Sequence, residues 1–167
     1  MNYMTINPRD HVNGPGVRVS LFVSGCTHGC IGCFNQAAMR FTSGQKFTRK
    51  SMVDILDSLD EPYIGGFSIL GGDPLMPENY EDVLKICKCV KSIYPLKSIW
   101  VWTGYVFDQV KADYPEILSY IDVLVDGPYC KDLLPEPYRG SSNQKIWVKT
   151  NQKEFIECTK KMLDILV

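Results

Sequence analysis

Residues 17–33 read VRVSLFVSGCTHGCIGC and join a predicted strand to a cluster of three cysteines. The first part is a run of β-branched, aliphatic and aromatic residues after a Gly-Pro-Gly turn, which predicts a buried strand over residues 17–24. Cys26, Cys30 and Cys33 follow where that strand ends. We therefore expect the three thiols at the carboxyl end of a strand, where ligand sites of α/β sheets usually lie.

Strand-like and helix-like patterns alternate beyond this stretch. Short apolar runs predict strands over residues 17–24, 67–70, 98–103, 121–125 and 145–149. Apolar residues at helical spacing predict helices over residues 48–59, 78–94, 105–120 and 151–166. Such alternation is typical of βαβ units, and five strands are too few to close an eight-stranded barrel. We therefore expect an α/β fold, an open partial (βα) barrel with a mostly parallel sheet, in a single domain of 167 residues.

The composition is that of a packed globular protein. Apolar residues make up 45% of the chain and charged residues 22%, and the net charge of −1 disfavours binding to nucleic acid or anionic membranes. The sequence has no signal-like segment in residues 1–10 and no run of about 18 apolar residues. We therefore expect a cytoplasmic protein, in whose reducing surroundings clustered cysteines indicate metal binding rather than disulfides.

Cys26, Cys30 and Cys33 have the spacing C-x3-C-x2-C. This spacing lets three thiolates from one short loop bind three irons of a cubane 4Fe-4S cluster, which leaves the fourth iron without a protein ligand. S-adenosylmethionine can fill that open position through its amino and carboxylate groups. The alternatives are a zinc site completed by His28 or a distant residue such as Cys130, and three simply buried thiols. His28 itself is expected at the surface.

The triad, together with NGPGVR at residues 13–18, resembles the radical-SAM superfamily and, within it, the activases of glycyl-radical enzymes. Gly32 stands where the wider superfamily usually has an aromatic residue, and Phe34 follows the third cysteine, as in activases of anaerobic ribonucleoside-triphosphate reductases. The similarity to that group covers residues 2–146. Four further motifs carry it: GGDPL at residues 71–75, WTGY at 102–105, DG at 126–127 and RGSSNQ at 139–144.

This resemblance implies a fold, a reaction and partners. The fold is the radical-SAM partial barrel, and the cofactors are a 4Fe-4S cluster on Cys26, Cys30 and Cys33 and S-adenosyl-L-methionine. The reaction is reductive cleavage of S-adenosylmethionine and formation of a glycyl radical on the large component of an anaerobic ribonucleoside-triphosphate reductase, with an electron donor such as flavodoxin or ferredoxin. No side chain is needed as a catalytic acid or base. The alternatives are an activase of another glycyl-radical enzyme, a small-molecule radical-SAM enzyme, and a non-enzymatic zinc or iron–sulfur module.

The predicted cofactor contacts surround the cysteines and the ends of the predicted strands: Gly32, Cys33, Phe34, Gly71, Gly72, Asp73, Thr103 and Asp126. The resemblance implies that Gly71 and Gly72 let the methionine end of the cofactor approach, and that Asp73 accepts from its ammonium. Thr103 and Asp126 are expected to bind ribose hydroxyls or the polar groups of the methionine. From the residues alone, a simple turn and loop capping explain these positions as well.

Two other sets of residues have an open role. Residues 139–144 are polar and turn-rich, which predicts a solvated connection, while the resemblance suggests contact with the cofactor or a partner. The remaining cysteines are expected to be buried or incidental thiols: Cys87, Cys89, Cys130 and Cys158.

Overall fold

A computed structural model of the chain describes residues 1–159 and 161–162, in which one sheet of eight strands carries three α-helices. The strands are β1 (Asn2–Asp10), β2 (Val17–Val23), β3 (Gln45–Lys46), β4 (Ile64–Gly71), β5 (Ser98–Trp102), β6 (Val123–Asp126), β7 (Lys145–Lys149) and β8 (Phe155–Glu157). The helices are α1 (Arg49–Asp60), α2 (Pro77–Ile93) and α3 (Phe107–Asp113), and short 3-10 turns lie at Gln36–Ala38 and Ile117–Ser119. The α/β class is therefore confirmed.

The sheet has the strand order β3-β1-β2-β4-β5-β6-β7-β8. The four central strands β2, β4, β5 and β6 are parallel, which gives three parallel pairs, and the other four pairs are antiparallel. The prediction of a mostly parallel sheet is therefore wrong, since the sheet is parallel only at its centre. The reason is local, because the outer strands join their neighbours through loops instead of helical crossovers.

The three helices pack on the same face of the sheet. Side chains of β2, such as Val19 and Leu21, share one buried cluster with Ile55 of α1, Val83 of α2 and Val110 of α3. The opposite face carries a second buried cluster: Trp100, Val123, Val125 and Ile146. Side chains alternate between the two faces of a strand, which gives each face its own cluster. Because the three described helices pack on the first face, loops cover the second.

Arg18 connects the central strands on the second face. Its side chain is only 1% exposed, and its Nε donates to the Ser68 hydroxyl at 2.7 Å. Its Nη2 donates to the carbonyl oxygens of Phe67 and Ser98, both at 2.9 Å. The Ser68 hydroxyl in turn donates to the carbonyl of Asn13 at 2.6 Å, so this network holds the turn between β1 and β2 over the sheet.

Three strands, β1, β3 and β8, are not predicted from the sequence, because their residues do not form a regular strand pattern. The sequence of β1 mixes polar residues with Pro8, and its pairing with β2 shifts register between Asn7 and Asp10. Strand β3 has only two residues. The third, β8, falls inside the predicted helix over residues 151–166, where Phe155 pairs with Lys149 instead of beginning a helix.

The rest of that predicted helix includes residue 160 and residues 163–166, which lie outside the described residues. The helix predicted over residues 105–120 is also shorter than expected, because α3 ends at Asp113, two residues before Pro115, and a 3-10 turn follows. Within the described part of the chain, none of the helices has the length and apolar character that a membrane crossing requires.

Candidate functional site

A cavity of about 420 Å³ lies where β2, β4 and β5 end. This volume falls in the range of small-molecule and cofactor sites. Cys26, Cys30 and Cys33 all line the cavity, so the structure brings the predicted metal ligands to one cavity. Other predicted site residues that line it are Phe34, Gly71, Gly72 and Thr103. Lining residues that the sequence did not single out as cofactor contacts include Val12, Asn13, His28, Tyr129 and Tyr138.

The cysteines sit in a loop of residues 24–39, which we call the cysteine loop. The loop is closed at its base, because the amide of Gly25 donates to the carbonyl of Ala38 at 2.7 Å and that of Cys26 to Met39 at 3.0 Å. Gly32 has a φ of +72°, a backbone conformation that a side chain disfavours. An aromatic residue would therefore be strained at this position, and Gly32 is exposed instead of being among the described residues that line the cavity.

The Gly-Gly-Asp turn after β4 packs directly against the start of the cysteine loop. The amide of Gly72 donates to the carbonyl of Val23 at 2.8 Å, and the Asn35 side chain donates to the carbonyl of Gly71 at 2.7 Å. A Cβ placed on Gly72 would lie 2.5 Å from the carbonyl oxygen of Gly25, so only glycine fits there. The two glycines therefore form a bare backbone edge beside the cysteines.

The carboxylate of Asp73 accepts the hydrogen bonds of several polar groups behind this edge. Its side chain is 1% exposed, and its carboxylate accepts from the amides of Leu75 and Gly104, both at 2.8 Å. The hydroxyl of Thr103 donates to it at 3.0 Å, and Nε2 of His28 lies 2.6 Å from Oδ2. Asp73 is not among the described residues of the cavity wall. Its direct contact with a cofactor stays a prediction, while its observed contacts organise the site.

The surface position predicted for His28 is wrong. Its side chain is 18% exposed, lines the cavity, and packs edge-to-face on Tyr105 with ring centroids 4.6 Å apart. A Cβ on Gly104 would lie 2.5 Å from the imidazole, so the ring fits closely against that backbone. The available signal was its place in the sequence, two residues from Cys26 and two from Cys30.

Asp126, another predicted cofactor contact, is buried and lies behind the described cavity wall. Its carboxylate accepts from the amide of Phe107 at 2.6 Å and from that of Lys145 at 3.2 Å. Burial raises the pKa of this carboxyl above its usual value. Asp126 thus fixes the start of α3 and of β7 next to Gly127, which does line the cavity. Its contact with a cofactor stays a prediction.

Residues 139–144 form part of the cavity wall, so their prediction as a solvated connection is wrong. Arg139, Gly140 and Gln144 line the cavity. The Gln144 side chain accepts from the amide of Gly140 and donates to the carbonyl of Gly127, both at 2.8 Å. Arg139 donates to the carbonyl of Gln144 at 3.1 Å and pairs with Glu136. These contacts fold the segment back over the second face of the sheet.

Phe34 occupies the mouth of the cavity. Its side chain is 78% exposed and meets the ring of Tyr129 edge-to-face at 5.3 Å. A Cβ on Gly140 would lie 3.3 Å from the Phe34 ring, so the cysteine loop and the 139–144 segment meet at this point. The mouth is therefore aromatic and accessible, a suitable surface for a flat apolar ring system.

The chemistry of the thiols suits a cluster better than a single metal ion. Within residues 1–159 and 161–162, no three His, Cys, Asp or Glu side chains lie close enough together to hold one ion. A cubane takes each cysteine ligand on a different iron, so its thiols do not have to converge on one ion. Burial raises the pKa of the Cys26 thiol to about 11, and a bound cationic cluster would stabilise its thiolate.

None of the other four cysteines is among the described residues that line the cavity. Cys87 lies on the buried face of α2, as expected for a buried thiol, and burial raises its pKa to about 12. The other three are half-buried free thiols: Cys89, Cys130 and Cys158.

Comparison with known proteins gives a consistent result. Residues 12–147 match the family model of the 4Fe-4S single cluster domain. The chain is 45% identical over 152 residues to the anaerobic ribonucleoside-triphosphate reductase-activating protein of Enterobacteria phage T4. This alignment covers 90% of this chain and 96% of the relative. The proteins of the same name from Escherichia coli and Vibrio cholerae are 45% and 43% identical over 150 residues, covering 87% of this chain and 97% of each relative.

Proposed function

The chain belongs to the family of anaerobic ribonucleoside-triphosphate reductase-activating proteins, and from this premise we propose that it activates such a reductase by generating a glycyl radical on it. The activation uses reductive cleavage of S-adenosylmethionine at a 4Fe-4S cluster. The observation that carries the proposal is that Cys26, Cys30 and Cys33 line one cavity together with the glycine edge of residues 71–72. Cluster ligands and a bare backbone edge are thereby presented to the same space.

We assign the cluster ligands to Cys26, Cys30 and Cys33. When bound, the reduced cluster supplies the electron that cleaves the C5′–S bond of S-adenosylmethionine into methionine and a 5′-deoxyadenosyl radical, which takes a hydrogen atom from a glycine Cα of the reductase. The electron comes from a reduced protein donor such as flavodoxin or ferredoxin. The chain itself binds and orients the cofactor and excludes water. These thiols need a reducing compartment, so we place the protein in the cytoplasm.

The remaining cavity walls suggest how the cofactor is held. In our proposal the methionine end lies against the backbone of Gly71 and Gly72, with the hydroxyl of Thr103 nearby. The adenine lies at the aromatic mouth beside Phe34, which Gly32 and Cys33 connect to the cluster. Asp73 and Asp126 support these contacts from behind the wall through the hydrogen bonds described above, and their predicted polar contacts with the cofactor are part of the same proposal.

The arrangement of layers supports the finer fold assignment. All three described helices pack on one face of the sheet, and the cavity opens on the other. We propose that the sheet forms the partial (βα) barrel of the radical-SAM type, with the helices outside and the cofactor inside. The cavity at the carboxyl ends of the parallel strands is where this architecture places its ligands.

Anaerobic reconstitution tests this function. The chain is loaded with iron and sulfide, reduced with dithionite, and incubated with S-adenosylmethionine, and 5′-deoxyadenosine is measured by chromatography. Addition of an anaerobic ribonucleoside-triphosphate reductase should then produce the electron paramagnetic resonance doublet of a glycyl radical. Cluster formation without 5′-deoxyadenosine would refute the enzymatic proposal, and 5′-deoxyadenosine without the doublet would refute the choice of partner.

A further inference from the structure

The contact between His28 and Asp73 assigns a role to a side chain inside the cysteine loop. We propose that His28 is a positioning residue: its hydrogen bond to Asp73 locks the stretch between Cys26 and Cys30 onto the ends of β4 and β5. The lock sets where the two cysteines lie relative to the glycine edge. The assignment of the cysteines as cluster ligands rests on the proposed function. The hydrogen bond between His28 and Asp73 is a property of the apoprotein.

The imidazole of His28 is held on three sides. Its Nε2 lies 2.6 Å from Oδ2 of Asp73, a short distance that is typical of a hydrogen bond to a carboxylate. Its ring packs edge-to-face on Tyr105 at 4.6 Å. The third side is the backbone of Gly104, where a Cβ would lie 2.5 Å from the ring. This degree of constraint is characteristic of a structural contact and not of a freely moving loop side chain.

The carboxylate of Asp73 is fully used by the donors that the structure describes. An ionised carboxylate offers about four lone-pair sites. Three donors come from the neighbouring sheet edge: the amides of Leu75 and Gly104 and the hydroxyl of Thr103. The fourth is His28, the one described donor to this carboxylate that comes from the cysteine loop. A cofactor ammonium that bound Asp73 would therefore have to displace one of these donors.

The cysteine loop has described hydrogen bonds to the turn after β4 on either side of His28. Before it, the carbonyl of Gly25 accepts from the amide of Asp73 at 2.9 Å. After it, the side chain of Asn35 donates to the carbonyl of Gly71 at 2.7 Å, whereas the bond from the amide of Cys33 to Cys30 at 3.2 Å is a turn within the loop. Between these points Thr27 makes a weak contact with the sulfur of Met76 at 3.4 Å. His28 thus supplies the strong connection for the residues between the first two cysteines.

Two variants separate the hydrogen bond from the packing of the ring. His28→Phe keeps an aromatic ring against Tyr105 and removes the donor, whereas His28→Gln keeps a donor of similar reach. His11→Phe is the matched control, since His11 is exposed and is the other histidine of the chain. Far-ultraviolet circular dichroism and thermal unfolding monitor the fold of each variant.

The first measurement uses the apoprotein under anaerobic, reducing conditions. We expect iodoacetamide to alkylate Cys26 and Cys30 about tenfold faster in His28→Phe than in the wild type, because the locked loop opens more often. His28→Gln and His11→Phe should remain close to the wild type. Unchanged alkylation in a folded His28→Phe variant would overturn the inference. The wild type itself should also show a slowly exchanging imidazole N–H in its ¹⁵N spectrum, and its absence would overturn the inference even if His28→Phe fails to fold.

The second measurement separates positioning from competition with the cofactor. We expect the reconstituted His28→Phe protein to bind S-adenosylmethionine about tenfold more weakly and to show an altered electron paramagnetic resonance signal of the reduced cluster. His28→Gln should restore both. Tighter binding by His28→Phe would mean that His28 competes for Asp73, and would overturn the positioning role. Failure of the wild type to cleave S-adenosylmethionine would refute the proposed function alone, since the apoprotein measurements do not depend on it.

Discussion

The amide of Asp73 donates to the carbonyl of Gly25 at 2.9 Å and so joins the turn after β4 to the loop that carries the cysteines. These two residues follow the ends of the neighbouring parallel strands β2 and β4, which brings segments far apart in the sequence to the same edge. The hydrogen bond places a glycine backbone beside the three thiols. The geometry of the site therefore depends on how closely the two turns can approach each other.

Gly72→Ala should disturb this approach, because the new Cβ would lie 2.5 Å from the carbonyl oxygen of Gly25, a backbone atom that cannot move alone. We expect the free energy of unfolding to fall by about 1–3 kcal/mol, measured by urea denaturation of the apoprotein. Gly65→Ala is the control, since its Cβ would meet no atom closer than 3.7 Å, and it should stay within about 0.5 kcal/mol of the wild type. Equal stability of Gly72→Ala and the wild type would contradict the close packing of the two turns.

Replacing any one of Cys26, Cys30 or Cys33 by alanine should reduce both the iron bound per chain and the 5′-deoxyadenosine formed by at least about tenfold, because a cluster held by three cysteines has none to spare. Iron and sulfide analysis after anaerobic reconstitution checks the first effect, and chromatography the second. Cys89→Ala is the matched control, a half-buried thiol on α2 that should leave both unchanged. Full activity in a triad variant would disprove the ligand assignment.

The parts of the fold that depend on local pattern could be predicted from the sequence. Helix α1 begins after the cap at Thr48, and α2 ends two residues before Pro95, both close to the predicted bounds. What could not be predicted depends on distant partners. His28 is half-buried because Asp73, 45 residues away, accepts its hydrogen bond, and β8 forms because Phe155 meets Lys149. The sequence placed the cysteines at the end of a strand, where they line the cavity, whereas the wall of residues 139–144 depends on long-range packing.

The pH dependence of stability should reveal the buried Asp126. Burial raises its pKa above the usual value of 3.8, so the folded state binds this proton more tightly than the unfolded state. By linkage, its contribution to stability is full below pH 3.8 and is lost as the pH rises through the raised folded pKa. The wild-type advantage over Asp126→Asn in the free energy of unfolding should therefore shrink from pH 4 to pH 7.

Urea denaturation at both pH values measures this difference. Asp113→Asn provides the control, since Asp113 is an exposed residue at the end of α3 and its replacement should give the same difference at both values. A wild-type advantage over Asp126→Asn that grows with pH would show that the hydrogen bonds from Phe107 and Lys145 outweigh burial.

Phe34→Ala should weaken binding of S-adenosylmethionine while leaving the fold intact. The ring is 78% exposed at the mouth of the cavity, so its loss removes the proposed contact surface for adenine without opening the core. We expect the dissociation constant of the reconstituted protein to rise about tenfold, as equilibrium dialysis would measure, because stacking on an aromatic side chain is worth about 1–3 kcal/mol. Ile31→Ala is the matched control, since Ile31 is 76% exposed in the same loop and is not among the described residues that line the cavity. An equal loss of affinity in both variants would mean that the loop surface as a whole, and not the Phe34 ring, determines binding of the cofactor.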